Sequence, residues 1–415
     1  MKTKNVLMVG IAVCLTLVLL TSPVLANEDD YVLDIYGNAN EDDTIDMRDL
    51  TYVKLIFFGK KPETELADAK YDGKINPLDF IQIKLIIVGK EKELTLIDSA
   101  DRTVTAKKPV ERAVLAGGTS AYFAEAIQIL GSEDKIVGVS DYIKRDEIYI
   151  PELSKLPSVG GYPPDYEAIL SLNPDIVIIG PAYGTKTAQH AEKLPGIVVL
   201  GFNLYKSETS IEELVKLGYI FGKENRVEHY IEDFHDKYIG LITARTEGLS
   251  EEEKPKVWVN RRDNKAYCGK SAAQQFVDMC GGRNIFADIP EGTVEIDPEE
   301  VIRRDPDIII KYLLTKDAGG SGYNTDDTSQ IKALWEDMVN RPELANVNAV
   351  KNERVYIMNS GLPYGADYPI AMIYWAKWFH PNLFEDLDPQ ASHQEFIDEF
   401  LSIDFNVYEH GVFVY

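Results

Sequence analysis

From about residue 95 onward, short apolar runs ending in a small or polar residue alternate with stretches of helical periodicity. This alternation limits the possible fold more than any other feature. The runs AVLAG, KIVGVS, DIVIIG and GIVVLG come first, and KVWVN, DIIIKY and RVYIMN follow. Helical patterns separate them, including Tyr122 to Leu130, the segment after Ser271 and the one around Trp335. Short strands spaced by helices imply βαβ units and a mainly parallel sheet. Between the two series lies a helical interval from Ser210 to Gly248. Gly222 divides it and leaves one helix, from about Glu224 to about Glu247, spanning about 36 Å.

The two series share a plan. DYEAILSLNPDIVII begins at Asp165 and DPEEVIRRDPDIIIK at Asp297. In each, an acid opens a short helix, Pro-Asp closes it, and an apolar strand follows. Glu167 and Glu299 each stand eight residues before the closing acid, Asp175 or Asp307. The expected fold is two doubly wound α/β lobes joined by a single long helix. In open α/β sheets, ligands bind beyond the carboxyl ends of the strands. Those ends carry Gly118 to Ser120, Tyr122, Asp141, Tyr142, Tyr183, Asn203, Tyr205, Arg261, Arg262, Tyr312 and Tyr364. Tyrosine rings supply flat apolar area at low entropic cost, and the arginine fork grips carboxylate or catecholate oxygens. The candidate ligand-binding residues are Thr119, Tyr122, Tyr142, Tyr183, Arg261, Arg262 and Tyr364.

A second repeat precedes the lobes. NANEDDTIDMRDLTYVKLIFFG starts at Asn38 and DAKYDGKINPLDFIQIKLIIVG at Asp68, an offset of 30 residues. Each is an oxygen-rich loop followed by an apolar helix that ends at glycine, a common helix stop. Calcium takes six to eight hard oxygen ligands, which a loop supplies at its positions 1, 3, 5, 7, 9 and 12. Loop one offers Asn38, Asn40, Asp42, the Thr44 carbonyl, Asp46 and Asp49. Loop two offers Asp68, Asp72, the Lys74 carbonyl, Asn76 and Asp79, with Gly73 at the sharp turn. An aspartate at position 12 and one helix after each loop resemble the type I dockerin module over about residues 31 to 90. Asn38 departs from the acid expected at position 1, and Lys70 occupies position 3 of loop two, where a cation cannot ligate. The resemblance implies a small α-helical, calcium-binding module whose partner is a cohesin-bearing surface protein.

The first residues read as a secretory signal: Lys2 and Lys4, an apolar run from Val6 to Leu20, then small residues Val24 and Ala26 that place cleavage after Ala26. The chain is therefore expected to be exported and extracellular or associated with the cell surface. Cys14 falls in this segment, mid-way along its apolar run, a poor place for a lipid anchor. Cys268 and Cys280 flank a helix starting near Ser271. Ten helical residues rise about 15 Å, too far for a disulfide, so two buried free thiols are expected. The formal net charge of −25 repels phosphate backbones and excludes nucleic acid as a partner class.

From about Ile97 to the end, the chain resembles the siderophore/haem/corrinoid-type periplasmic binding proteins. The phrases carrying this are RTVTAKKPVERAVLAGG, ILGSEDKIVGVS, LPSVGGYPPDYEAILSLNPDIVII, the central helix, MCGGRNIF and VEIDPEEVIRRDPDIII. The resemblance implies a binding protein of an ABC importer that captures a metal chelate between its lobes. An iron–siderophore leads, with corrinoid and haem next. It also implies that Glu167 and Glu299, one per lobe, pair with arginines of the importer's membrane subunits. The expected division is a signal at 1–26, the dockerin-like module at 31–92, the first lobe at 97–206, connecting helices at 207–250 and the second lobe at 251–415. An enzyme is not expected, since no G-x-S-x-G elbow, P-loop or H-E-x-x-H motif occurs and the six histidines are scattered. The alternative is a dockerin-bearing surface protein that acts on or binds polysaccharide.

Overall fold

The computed structural model describes residues 31–180, 187–314 and 321–415. The signal segment, Cys14 and the candidate Tyr183 lie outside the described residues.

The N-terminal module holds two helices, α1 (Met47–Phe57) and α2 (Pro77–Ile87). Both begin the same way. Asp46 and Asn76 accept from the N–H groups of Arg48 and Leu78, at 2.6 and 2.9 Å. Asp49 and Asp79 reach back to the N–H groups of Asp46 and Asn76, at 2.8 and 2.7 Å. Reciprocal capping of this kind satisfies donors that a helix start leaves free. Leu50, Val53 and Ile56 of α1 and Ile83 and Ile86 of α2 are buried.

A hairpin absent from the sequence reading follows: β1 (Glu93–Ile97) pairs antiparallel with β2 (Thr103–Lys107). The segment before α1 runs along β1. Ile35 bridges Leu96, Tyr36 N–H donates to Thr95 O at 2.9 Å, and Ile97 N–H donates to Asp34 O at 2.9 Å. The hairpin so joins the module to the first lobe.

That lobe runs β3 (Ala113–Ala116), α3 (Ser120–Leu130), β4 (Ile136–Val139), α4 (Tyr166–Ser171), β5 (Ile176–Ile179), α5 (Thr187–Lys193) and β6 (Val198–Gly201). Its strands are parallel in the order β4-β3-β5-β6. The two faces of the sheet pack into different cores: Leu115 and Ile178 belong to the central core, Val114 and Val177 to an outer one. A strand buried on both faces reads as an unbroken apolar run, as AVLA and IVII do.

Helix α6 (Ser207–Phe221) ends at Gly222, whose φ of 66° suits a residue without a Cβ. Then α7 (Glu224–Tyr230), a π turn (Ile231–His235) and α8 (Asp236–Thr246) follow without a break, as one helical rod.

The second lobe contains β7 (Lys256–Arg262), β8 (Lys265–Tyr267), α9 (Ala272–Met279), β9 (Arg283–Asn284), β10 (Thr293–Glu295), α10 (Pro298–Arg304), β11 (Ile308–Leu313), α11 (Ser329–Val339), α12 (Asn348–Lys351), β12 (Val355–Asn359), α13 (Tyr368–Phe379) and α14 (Pro389–Phe396). Strands β7, β11 and β12 are parallel, and β8 and β10 extend the sheet antiparallel. The internal repeat extends to hydrogen bonds. Asp175 N–H donates to Arg112 O at 2.7 Å while its carboxylate accepts from Arg112 N–H at 2.9 Å. Asp307 does the same with Lys256, at 2.8 and 2.9 Å. Cys268 and Cys280 are both buried free thiols.

Candidate functional site

Tyrosines from the two lobes meet where strands end. From the first lobe come Tyr122, on the first turn of α3, and Tyr205, after β6; their ring centroids are 6.4 Å apart. From the second come Tyr267, at the end of β8, and Tyr364, in the loop after β12, with hydroxyls 3.5 Å apart. Tyr267 also lies edge-on to Tyr312 at 5.4 Å, and Tyr364 to Phe276 at 6.2 Å. The lobes touch here: a Cβ on Gly365 would stand 3.0 Å from Tyr122 Cδ1. Burial raises the Tyr122 and Tyr364 phenols above their ordinary range, so both remain neutral donors. The result is a set of flat rings with hydroxyl edges, grouped where the two lobes touch.

Of the residues predicted from sequence, Tyr122 and Tyr364 join this cluster. Tyr142 stays within the first lobe, its ring under the Arg145 guanidinium at 5.3 Å. Thr119 turns inward: its hydroxyl is buried, without a partner among the described residues, against the place where a Gly180 side chain would be. Arg261 and Arg262 are exposed at the end of β7, where a bulge sets two of its residues against one of β8. Arg262 lies 4.0 Å from Asp263. Tyr267 was missed because β8 is three residues long and shows no strand pattern of its own.

Beside the tyrosines, two carboxyls meet across the junction. Glu125 comes from α3, and its oxygens lie 2.9 and 3.3 Å from where a Gly365 Cβ would stand. Asp367 is the N-cap of α13. Both are almost fully buried, and one oxygen of each lacks a hydrogen-bond partner among the described residues. Burial raises both carboxyls well above the ordinary range, and the Glu125 charge raises Asp367 further. The Tyr149 side chain faces both, and its buried hydroxyl makes no hydrogen bond among the described residues. Its ring stacks on Tyr323 of the second lobe at 4.3 Å, and Tyr323 is bonded to His393 Nε2 at 2.6 Å. Burial pushes His393 down to about 3, so its imidazole is neutral and shares one hydrogen bond with the phenol. One signal for Glu125 was in the sequence: it is the lone acid in the otherwise apolar SAYFAEAIQIL.

Glu167 and Glu299 hold equivalent places. Each is exposed in the first turn of its helix, α4 or α10, and each N–H donates to the capping aspartate, Asp165 at 3.0 Å or Asp297 at 2.9 Å.

The two N-terminal loops share a hydrogen-bond plan. Position 12 accepts from the N–H of position 3: Asn40 to Asp49 at 3.1 Å, Lys70 to Asp79 at 2.9 Å. Position 1 accepts from position 5: Asp42 to Asn38 at 3.2 Å, Asp72 to Asp68 at 3.1 Å. Position 5 accepts from position 7, Thr44 to Asp42 and Lys74 to Asp72, both at 3.1 Å. Among the described residues, no three His, Cys, Asp or Glu side chains converge as a metal cluster by themselves. A cation here would also need amide and carbonyl oxygens. Loop one provides one: Asn40 Oδ1 is buried and has no hydrogen-bond partner among the described residues. Burial raises Asp49 to about 6, with Asp42 and Asp46 adding to the rise, and burial raises Asp79 likewise, with Asp68 and Asp72 adding. Crowded carboxylates beside an orphaned amide oxygen are a donor set that fits a hard divalent cation. Against it, the exposed Arg48 pairs with Asp42 at 3.1 Å and Asp46 at 2.9 Å, a surface contact of small worth.

Residues 118–362 match the family described as periplasmic binding protein. The chain is 23% identical over 259 residues to the vitamin B12-binding protein of Vibrio parahaemolyticus, covering 59% of this chain and 88% of that protein. It is 25% identical over 246 residues to the petrobactin-binding protein YclQ of Bacillus subtilis, covering 58% of this chain and 73% of that protein. Among solved structures it is similar to the TroA-like periplasmic binding protein FepB of Veillonella parvula, with a TM-score of 0.63 and 26% identity over 77% of this chain and 99% of that one.

Proposed function

The chain belongs to the periplasmic binding protein family, and from that membership we propose that it captures a bulky metal chelate between its lobes for an ABC importer. The observation that carries this reading is the pairing of Tyr122 and Tyr205 in one lobe with Tyr267 and Tyr364 in the other, at the carboxyl ends of the strands. A ligand large enough to touch both sets holds the lobes in the arrangement that brings the two sets together. Relatives named for vitamin B12 and petrobactin support a corrinoid or a ferric siderophore as the chelate. In this reading Arg261 and Arg262, exposed at the end of β7, supply charge for carboxylate or catecholate oxygens. Glu167 and Glu299 present one carboxylate per lobe to the two membrane subunits of the importer.

The N-terminal module, in this reading, binds calcium through Asn38, Asn40, Asp42, Thr44 and Asp49 in loop one and Asp68, Asp72, Lys74 and Asp79 in loop two, Thr44 and Lys74 through their carbonyls. It docks to a cohesin-bearing surface protein and so tethers the exported chain. Exposed apolar residues on or next to the two helices, Met47, Phe57, Phe58, Leu78 and Ile81, support a protein partner for the module.

A thermal-shift screen of the mature chain against cobalamins, ferric siderophores, haem and oligosaccharides, with calcium present, tests the assignment. A ligand that binds only the folded state raises the melting temperature by mass action. One chelate class should shift it, and Tyr267→Ala or Tyr364→Ala should reduce that shift. A shift with oligosaccharides alone would overturn the chelate assignment.

A further inference from the structure

Loop one of the N-terminal module is built against the first lobe. Its eighth residue, Ile45, is buried and donates its N–H to the Tyr219 hydroxyl on α6, 3.2 Å away. The same hydroxyl faces the Thr44 side chain and the Asp49 charge. Loop two differs: Lys70, Tyr71, Asp72, Gly73 and Lys74 are all exposed.

The contact has a specific chemical meaning. The Thr44 carbonyl and the Ile45 N–H belong to one planar peptide unit. Tyr219 holds the N–H end of that unit, and the carbonyl end is the seventh-position metal ligand. Fixing the N–H aims the carbonyl, and a cation on the carbonyl polarises the unit and strengthens the N–H as a donor. The surroundings hold both parts in register. Lys216, one turn earlier on α6, donates to Ile97 O at 3.1 Å and lies 3.6 Å from Asp34. Lys108 pairs with Glu91 in a buried ion pair and donates to the Tyr219 carbonyl. Module and lobe share one apolar core, in which Ile45, Val53, Leu96, Leu217 and Tyr219 are all members.

We propose that Tyr219 couples loop one to the ligand-binding lobes, so that calcium in loop one stabilises the lobes and the folded lobe raises the loop's calcium affinity. The coupling is reciprocal by linkage. It rests on the calcium reading above, and the test separates the two.

All four tryptophans, Trp258, Trp335, Trp375 and Trp378, lie in the second lobe, so their fluorescence reports the lobes and not the module. The experiment is thermal melting of the full mature chain, followed by tryptophan fluorescence in calcium chloride and in chelator, beside calorimetric calcium titration. Calcium should raise the tryptophan-monitored melting temperature of the wild type. Tyr219→Phe, which removes the acceptor, should cut that rise to half or less and weaken calcium at loop one by about fivefold or more. The quantity compared is the calcium-dependent rise, so a general loss of stability in the variant does not imitate the result. Asp49→Asn in loop one should cut the rise as well, and Asp79→Asn in loop two should leave most of it. Calcium binding with no tryptophan-monitored rise, or a rise equal in wild type and Tyr219→Phe, would overturn the coupling and leave the calcium reading standing. No calcium heat in the wild type would overturn both.

Discussion

Glu125 and Asp367 are buried at the junction, and neither forms an ion pair among the described residues; this gives the protein an unusual pH dependence. Burial lifts the Glu125 carboxyl from its ordinary value of 4.5 to about 8. Between those values the folded chain binds a proton that the unfolded chain has lost. Its contribution to stability is present at low pH and is lost as pH rises, at about 1.4 kcal/mol per pH unit for one proton. The groups facing the pair, Tyr122, Tyr149, Tyr230 and Tyr323, have phenols raised by burial and do not titrate in this window. Glu125→Gln keeps the shape and removes the Glu125 share of the titration, leaving that of Asp367. Denaturant unfolding from about pH 5 to about pH 8 should therefore show a flatter profile for Glu125→Gln than for the wild type. Parallel profiles would show that Glu125 is ionised in the folded chain across this range. Sequence reading could mark Glu125, an acid within an apolar helix, but not its partner. Side chains brought together across two lobes leave no local pattern. Tyr122 and Tyr364 were legible because strand ends place them.

At the scale of elements, the helix starts were the most legible features. Repeats align Asp165 with Asp297, and each caps a short helix whose first turn displays an exposed glutamate. Near a helix N-terminus a glutamate gains a few tenths of a kcal/mol from the helix dipole. Replacing it at an exposed site changes stability by about 0.5 kcal/mol or less. Glu167→Ala combined with Glu299→Ala should therefore melt like the wild type and bind ligand equally well, yet fail to support uptake through the importer. Each single change should give an intermediate rate. Full uptake by the double variant would remove both residues from the docking surface. The β1–β2 hairpin was not legible, because ELTLI and TVTAK are short and directly follow the module. The π turn within the connecting rod was also hidden, since its helical periodicity continues that of α7 and α8.

At the scale of the whole molecule, two similar lobes and a repeated module could be read from sequence. The fusion of module to lobe could not, since Ile45 and Tyr219 lie 174 residues apart. How far the lobes move follows from what joins them. Hinge closure needs a few residues that absorb large φ and ψ changes. The connection from Glu224 to Thr246 is hydrogen-bonded helix throughout, with its π turn packed by Tyr230, Phe234, Phe396 and Phe400. Further ties run along it. Arg226 donates to Ile129 O at 3.1 Å, Tyr230 to Ala366 O at 2.5 Å, and His229 pairs with Glu399 at 2.9 Å. The stacked Tyr149 and Tyr323 add a contact on the other side of the junction. Ligand binding should accordingly leave the radius of gyration unchanged within error by small-angle scattering. Protection from hydrogen exchange should still rise in the loop around Tyr364 and Gly365, where the lobes touch. A clear contraction on binding would mean that the rod bends, and the π turn would then be the place to look for the hinge.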